Sequence, residues 1–285
     1  MPYKDPYHQD RSRLNNSAKE CFRRQGPEVF KAIYVDDPPS MDRKPSSPAQ
    51  LLGQAVHTLA LEPGQFSRRF AVAPDCNGRT TEGRQRKAAF ALASKDQDVI
   101  MPDQHERASM AADALSADPW WSSFMASTPQ CEPAVEWTDH GVPAKAKLDA
   151  LLLDPIEQEN RLVDLKTFEP SGIGRYAGRM PTKEVWVNRV IEYGYHRQAA
   201  WYLSGVNDKH GVRPVFYHVV VVTVEPFLVF VYRLPEELLL LGLEENTSDV
   251  LAIKACYQTG DWRCRERKQV TTLSVPRWML RTDAE

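Results

Sequence analysis

Two apolar stretches, KLDALLLD at residues 147–154 and RLVDLKT at residues 161–167, each carry an acidic residue in the middle of what reads as a strand. Residues two apart on a strand point to the same face, so Lys147, Asp149 and Leu151 share one side and Leu148, Ala150 and Leu152 the other. In the second stretch the same rule sets Asp164 beside Lys166, with Leu165 packed behind them. A lone D-x-K of this kind is most often an exposed ion pair of little energetic worth. Pairing changes that reading. If the first strand turns through PIEQENR and pairs with the second, the two aspartates land on neighbouring strands within a few residues of register. Two carboxylates brought together repel unless a divalent cation lies between them. Hard oxygen ligands with positions left for water and a phosphate suit Mg²⁺ or Mn²⁺. Lys166 would then hold the attacking water or stabilise charge on the phosphoryl oxygens.

The remaining sequence supplies a domain large enough to bury such a site. The 285 residues, 42% of them apolar, suffice for one large core. No apolar run is long enough to span a bilayer, and the polar MPYKDPYHQD start has no signal-peptide core after it. The expectation is an intracellular, cytoplasmic protein. Its five cysteines, Cys21, Cys76, Cys131, Cys256 and Cys264, are odd in number and scattered, which fits reduced thiols better than a disulfide framework. The net charge is −2, yet basic residues cluster at Arg84, Arg86 and Lys87, at Arg175, Arg179 and Lys183, and from Arg263 through Arg265 and Arg267 to Lys268. A near-neutral chain can still hold one basic groove against an acidic outer face.

Along the chain, residues 1–45 read as a polar helical and loop extension packing on the core, and residues 46–285 as a single domain. Ser47 as N-cap, Pro48 in the first helical position and Gln50 closing a capping box start a helix that carries Gly53 and His57 four apart. Residues 74–102 read as a basic loop, followed by a helix in QHERASMAADALSA. PAVEWTDHGVPAKAKLDALLLD reads as two strands around the turn Asp139-His140-Gly141, and RLVDLKT as a third, forming an antiparallel meander. EVWVNRVIEYGYHRQAAWYLSGV reads as one long helix. HVVVVTVE and FLVFVYRL give two more strands, and a final helix begins at PEELLLL. Strands flanked by helices in this order indicate an α/β sandwich around a central mixed sheet.

The residues now carry a resemblance. Asp149 followed by Asp164-Leu165-Lys166 resembles the core of the PD-(D/E)xK nucleases, and Gln198 with Tyr202 resembles the QxxxY motif of their RecB-like branch. GQAVHTLALEP, with His57, is similar to the first-motif helix of that branch. More narrowly, GQAVHTLALEPGQF, RTTEGRQRKAAF, AKAKLDALLLD, VDLKT and YGYHRQAAWYL follow in the order found in the exodeoxyribonuclease VIII-like phage and prophage recombination exonucleases. Residues 46–205 are covered. Two departures from the pattern, Leu148 where a proline is usual and Asp164 where many relatives have glutamate, remove no ligand.

That resemblance implies a restriction-endonuclease-like α/β core with a central mixed sheet flanked by helices. It implies His57, Asp149, Asp164 and the Leu165 carbonyl as metal ligands, Asp149, Asp164 and Lys166 as the catalytic set, and Gln198 and Tyr202 as DNA contacts; Tyr195, close to the same helix line, and the clustered Arg84, Arg86 and Lys87 are further candidate DNA contacts. Relatives of the lambda type use one further acidic residue, for which Glu106, Asp113 and Glu132 are candidates here. Four cluster cysteines in the spacing that some RecB-like nucleases use are absent, so no iron–sulfur cluster is expected. The implied activity is Mg²⁺-dependent 5′-to-3′ degradation of linear double-stranded DNA ends, leaving 3′ single-strand overhangs for recombination. A homo-oligomeric ring, trimeric or tetrameric, and a single-strand annealing partner come with that reading. Two alternatives are a RecB-like nuclease of another specificity, for single strands or for CRISPR adaptation or repair, and a DNA-binding protein with a decayed site. Against decay, each core position holds a competent residue.

Overall fold

The computed structural model describes residues 6–37, 39, 46–153, 159–170, 178–264, 272 and 274. Helices α1 (Pro6–Gln9), α2 (Asn16–Gln25) and α3 (Pro27–Phe30) come first, and α3 continues into a π-helical turn at Lys31–Val35. Then follow α4 (Pro48–Leu61), α5 (Phe66–Arg69), β1 (Phe70–Val72), α6 (Thr81–Ala93), β2 (Asp98–Ile100), α7 (Pro102–Ala117) and α8 (Pro119–Ala126). The strand-rich middle comprises β3 (Gln130–Cys131), β4 (Ala134–Asp139), β5 (Val142–Lys147), β6 (Ala150–Leu152) and β7 (Arg161–Phe168). Helices α9 (Lys183–Tyr193) and α10 (Tyr195–His210), strands β8 (Val215–Val222) and β9 (Val229–Arg233), and helix α11 (Glu236–Thr259) complete the order.

A five-stranded mixed sheet, ordered β3-β6-β7-β8-β9, forms the centre. Only β7 and β8 run parallel, joined by the α9–α10 crossover; the other neighbours are antiparallel. Strand alternation sorts the two faces. Val163, Leu165, Val219 and Val221 pack with Leu52 and Val56 of α4 and Ala108 and Ala111 of α7. Leu151, Leu162 and Phe216 point the opposite way, toward Trp201 and Val206 of α10 and Val250 of α11. The α/β sandwich around a central mixed sheet is the architecture found. Among the described residues no helix is long and apolar enough to cross a membrane.

Local chemistry accounts for several element ends. The Ser47 hydroxyl accepts from the Gln50 N–H at 3.2 Å and the Gln50 side chain accepts from the Ser47 N–H at 2.8 Å, with Pro48 in the first turn. This reciprocal cap fixes where α4 begins and hence the angular position of His57. Leu14, Ala18, Cys21 and Phe30 lie in the same core as Trp201 and Val250. Arg197 of α10 fastens that contact, donating to Glu20 of α2 at 2.6 and 2.9 Å and to Glu245 of α11 at 2.9 Å.

Three expectations need correction. The long helix is two helices, because Gly194 adopts a left-handed φ of 74° that ends α9 and starts α10. A single glycine is tolerated inside a helical pattern, so its period did not betray the break. The expected basic loop contains a thirteen-residue helix, α6, capped by Thr80, whose hydroxyl accepts from the Gly83 N–H at 3.0 Å. The antiparallel meander divides: β4 and β5 make a separate two-stranded sheet, and the chain leaves it at Leu148 to join the central sheet as β6. Leu148 is buried at the crossing, its N–H donating to the Pro133 carbonyl at 3.0 Å. Of the basic residues singled out above, Arg175, Arg265, Arg267 and Lys268 lie outside the described residues.

Helices α10 and α11 come into backbone contact at Gly242, where a Cβ would stand 2.3 Å from the His196 carbonyl oxygen. On helix propensity alone, Gly242→Ala would stabilise by about 1 kcal/mol. The backbone contact reverses the sign, since relieving such overpacking costs about 1–3 kcal/mol. Urea denaturation is expected to show a lowered midpoint with an unchanged slope.

Candidate active site

The last registered pair of β6 and β7 is Ala150 with Val163. Asp149 precedes the first of these and Asp164 follows the second, so antiparallel pairing brings the two carboxylates together where the ladder ends. Asp149 Oδ2 accepts the Leu165 N–H at 2.7 Å, so a side-chain oxygen takes over from a backbone carbonyl. Lys166 projects to the same side as Asp164, with its ammonium in contact with Asp164 Oδ2. Lys166 Nζ also donates to Gln198 Oε1 at 3.0 Å, the Gln198 amide donates to the Tyr202 hydroxyl at 2.8 Å, and the ammonium lies 4.7 Å from the Tyr195 ring centre. Helix spacing explains why one stripe of α10 supplies Tyr195, Gln198 and Tyr202.

Helix α4 enters from the other side. Gly53 lets it press against β7, since a Cβ there would sit 3.1 Å from Thr167 Oγ1. One turn later His57 Nδ1 stands 3.5 Å from Asp149 Oδ2. Glu132, between β3 and β4, completes the group. It adopts a φ of 55°, uncommon for a residue with a side chain, while its N–H donates to the Asp149 carbonyl at 2.8 Å and its carboxylate pairs with Lys147 at 2.9 Å. His57, Glu132 and Asp149 present ligand atoms within 4.8 Å of one another. Of the three further acids considered from sequence, Glu132 is the one in this group. Glu106 and Asp113 are exposed on α7.

These side chains, apart from the buried Asp164, border an open cleft of about 730 Å³. Its walls include Tyr7, Asn16 and Ser17 from the N-terminal segment, which sequence reasoning overlooked, together with Arg69 and Lys147, the latter expected on the Asp149 face. The buried Lys145 ammonium anchors the N-terminal wall by donating to the Asp10 carbonyl at 2.7 Å. A lysine at that position of an apparently ordinary hairpin gave no sign of its distant partner. Arg84, Arg86 and Lys87 are exposed on α6 and do not line the cleft. Leu165 is buried between Asp164 and Lys166, with its N–H already committed to Asp149.

Burial dominates the electrostatics. It raises Asp149 and Asp164 to about 6, the Lys166 charge offsetting part of the rise in each. Glu132 is raised by burial and then by the Asp149 charge. His57 falls to about 4 through burial and the nearby Lys166. Burial would lower Lys166, but the charges of Asp164, Tyr195 and Asp149 outweigh it and hold the lysine above its ordinary value. Tyr202 is raised well above its usual range by burial and by both aspartates. The carboxylates are therefore short of compensating positive charge. One imidazole and two acids facing a polar cleft fit a hard divalent cation, and His57, Glu132 and Asp149 are the residues that would hold it, with the buried Asp164 alongside.

A family model described as "PDDEXK-like domain of unknown function (DUF3799)" matches residues 39–268. In three dimensions the chain is similar to the crystal structure of a "Putative exonuclease" from Eubacterium rectale, with a TM-score of 0.63 over 100% of both chains and 14% sequence identity. At that identity the likeness concerns the fold. None of the curated proteins compared matches the chain.

Asp149 titrates near 6 in the fold against an ordinary value of 3.8, so ionising it opposes folding. Its contribution to stability is most favourable below the lower value and is lost as pH rises through the higher one. Asp149→Asn retains an oxygen for the Leu165 N–H. In chelator it should raise the melting temperature by a few degrees at pH 8 and by clearly less at pH 5. Thermal melts at both pH values check this; an equal gain at both would contradict the assignment.

Proposed function

We propose that this chain, which belongs to the PDDEXK-like family DUF3799, is a divalent-metal-dependent phosphodiester hydrolase that degrades linear duplex DNA from its ends. The observation that carries the proposal is the meeting of Asp149 and Lys166 with His57 and Glu132 in one open cleft, with Asp164 buried against the lysine. An ordinary surface ion pair would not gather a buried carboxylate, two half-buried acids and an imidazole at one place in the fold. When bound, a divalent cation such as Mg²⁺, or Mn²⁺ in its place, polarises a phosphoryl oxygen and promotes deprotonation of the attacking water.

The chain's own residues do the rest. Asp149 and Asp164 fix the reacting position because both are held by the β6–β7 junction. Lys166, kept cationic by its acidic neighbours, stabilises the charge that develops on the phosphoryl oxygens. Gln198 orients the lysine through its amide oxygen, and Tyr202, kept protonated, orients Gln198 in turn. Tyr195 lays its ring under the ammonium. The Leu165 carbonyl, flanked by both catalytic side chains, is a further candidate ligand. Exposed Arg84, Arg86 and Lys87 offer positive charge to DNA beyond the cleft.

The finer reading is 5′-to-3′ digestion that leaves 3′ overhangs for recombination. Its support is the ordered resemblance of GQAVHTLALEP, RTTEGRQRKAAF, VDLKT and YGYHRQAAWYL to the exodeoxyribonuclease VIII-like family. A ring of subunits and a strand-annealing partner rest on the same resemblance. The test is digestion of linear duplexes labelled separately at each 5′ and 3′ end. Mg²⁺ or Mn²⁺ should release 5′ label first, and chelator should stop the reaction. Lys166→Ala should lower turnover by a hundredfold or more, the usual loss when a group that stabilises transition-state charge is removed. Release of 3′ label first would overturn the polarity, and full activity in chelator would overturn the hydrolase reading itself.

A further inference from the structure

His218 lies directly opposite Asp164 in the β7–β8 register and has no solvent exposure. Its ring sits among Trp186, Tyr195 and Phe216, with centroids 5.5, 5.8 and 5.4 Å away. Trp186 Nε1 donates to His218 Nδ1 at 3.3 Å. An indole nitrogen can only donate, so Nδ1 is the accepting nitrogen and the proton of the neutral ring is on Nε2. That Nε2–H stands 3.6 Å from Asp164 Oδ2, beyond hydrogen-bond reach. Neither atom has an aligned hydrogen bond, although the Lys166 ammonium is in contact with the same oxygen.

The arrangement bears on a conflict within the site. Lys166 is held by Asp164, whereas hydrolysis needs the ammonium at a phosphoryl oxygen. If the lysine simply left the metal-free site, a fully buried carboxylate oxygen would lose its closest charged partner among the described residues, which is costly at a position without solvent exposure. We infer that His218 is a positioning residue that takes over Asp164 Oδ2 through its Nε2–H as Lys166 turns toward substrate, so the lysine is released without freeing the carboxylate. Closing the gap from 3.6 Å to an ordinary 2.9 Å requires about 0.7 Å of movement. Trp186 fixes the direction from which the proton is offered. The role of this exchange in turnover rests on the hydrolase reading above; the exchange itself does not.

The experiment therefore has one arm without catalysis. In the full chain labelled with ¹⁵N-histidine, free of metal and DNA, the His218 Nε2–H resonance is identified by its loss in His218→Gln. In Lys166→Met, which removes the ammonium, that resonance should move downfield as the hydrogen bond to Asp164 shortens. An unmoved resonance overturns the proposal whatever the chain does to DNA. In the second arm, His218→Phe should lower kcat on end-labelled duplex by about tenfold to a hundredfold, typical for loss of a group that orients a ligand from behind. KM should hardly change. His218→Gln, which keeps an N–H of similar reach, should recover most of the loss, whereas a residue that merely fills the core would give Phe the advantage over Gln. Equal or better turnover by the Phe variant overturns the positioning role. Absence of hydrolysis by the unsubstituted chain would instead refute the hydrolase reading, and the resonance alone would then decide the exchange.

Discussion

One hydrogen bond sets the terms for the site: the Leu165 N–H donated to the Asp149 carboxylate at 2.7 Å. A strand's ladder normally continues through backbone carbonyls, but here the chain leaves the sheet just before β6 and a side chain closes the last rung. That substitution bounds β6, with Leu148 at the crossing and Lys147 already in a second sheet. It also fixes one carboxylate against the strand bearing the other. Glu132 depends on the same place, because its N–H is held by the Asp149 carbonyl. An apolar residue at position 149 would remove more than a ligand; it would leave a backbone donor unpaired at the junction of two sheets.

The surrounding structure tolerates this because the strain is local and the framework is tied from several sides. Asp149 and Asp164 are both raised by burial, so the site resists full ionisation while the fold around it supplies the stability. Arg197 holds α10 to α2 and α11, which keeps the stripe bearing Gln198 and Tyr202 in line with Lys166. The two requirements are separable: a ligand group poor in positive charge, and a well-fastened scaffold that holds it in shape.

The sequence made part of this legible and hid the rest for identifiable reasons. Period-two alternation was enough to put Asp164 beside Lys166, and an antiparallel return through PIEQENR was enough to bring Asp149 to them. The Ser47 capping box located α4 and with it His57. The switch of sheets at Leu148 has no period of its own, because both strands obey the same alternation. His218 begins a run of valines whose partner is set by a parallel crossover through two helices, and no local signal carries that register. Tyr7, Asn16 and Ser17 reach the cleft because contacts far apart in the chain anchor their segment, Lys145 to Asp10 and Arg197 to Glu20 among them.

Gly194 joins two arms that end at the same pair of side chains. Going backward from it, α9 carries Trp186, whose indole steadies His218 behind Asp164; going forward, α10 carries Gln198, whose amide steadies Lys166. A Cβ at Gly194 would lie 2.1 Å from the guanidinium of Arg197, which is committed to Glu20 and Glu245. The backbone of this one residue is thus a fulcrum. Because both arms start from this one backbone, the angle between two helices sets how the indole stands relative to the amide on either side of the acid and its lysine.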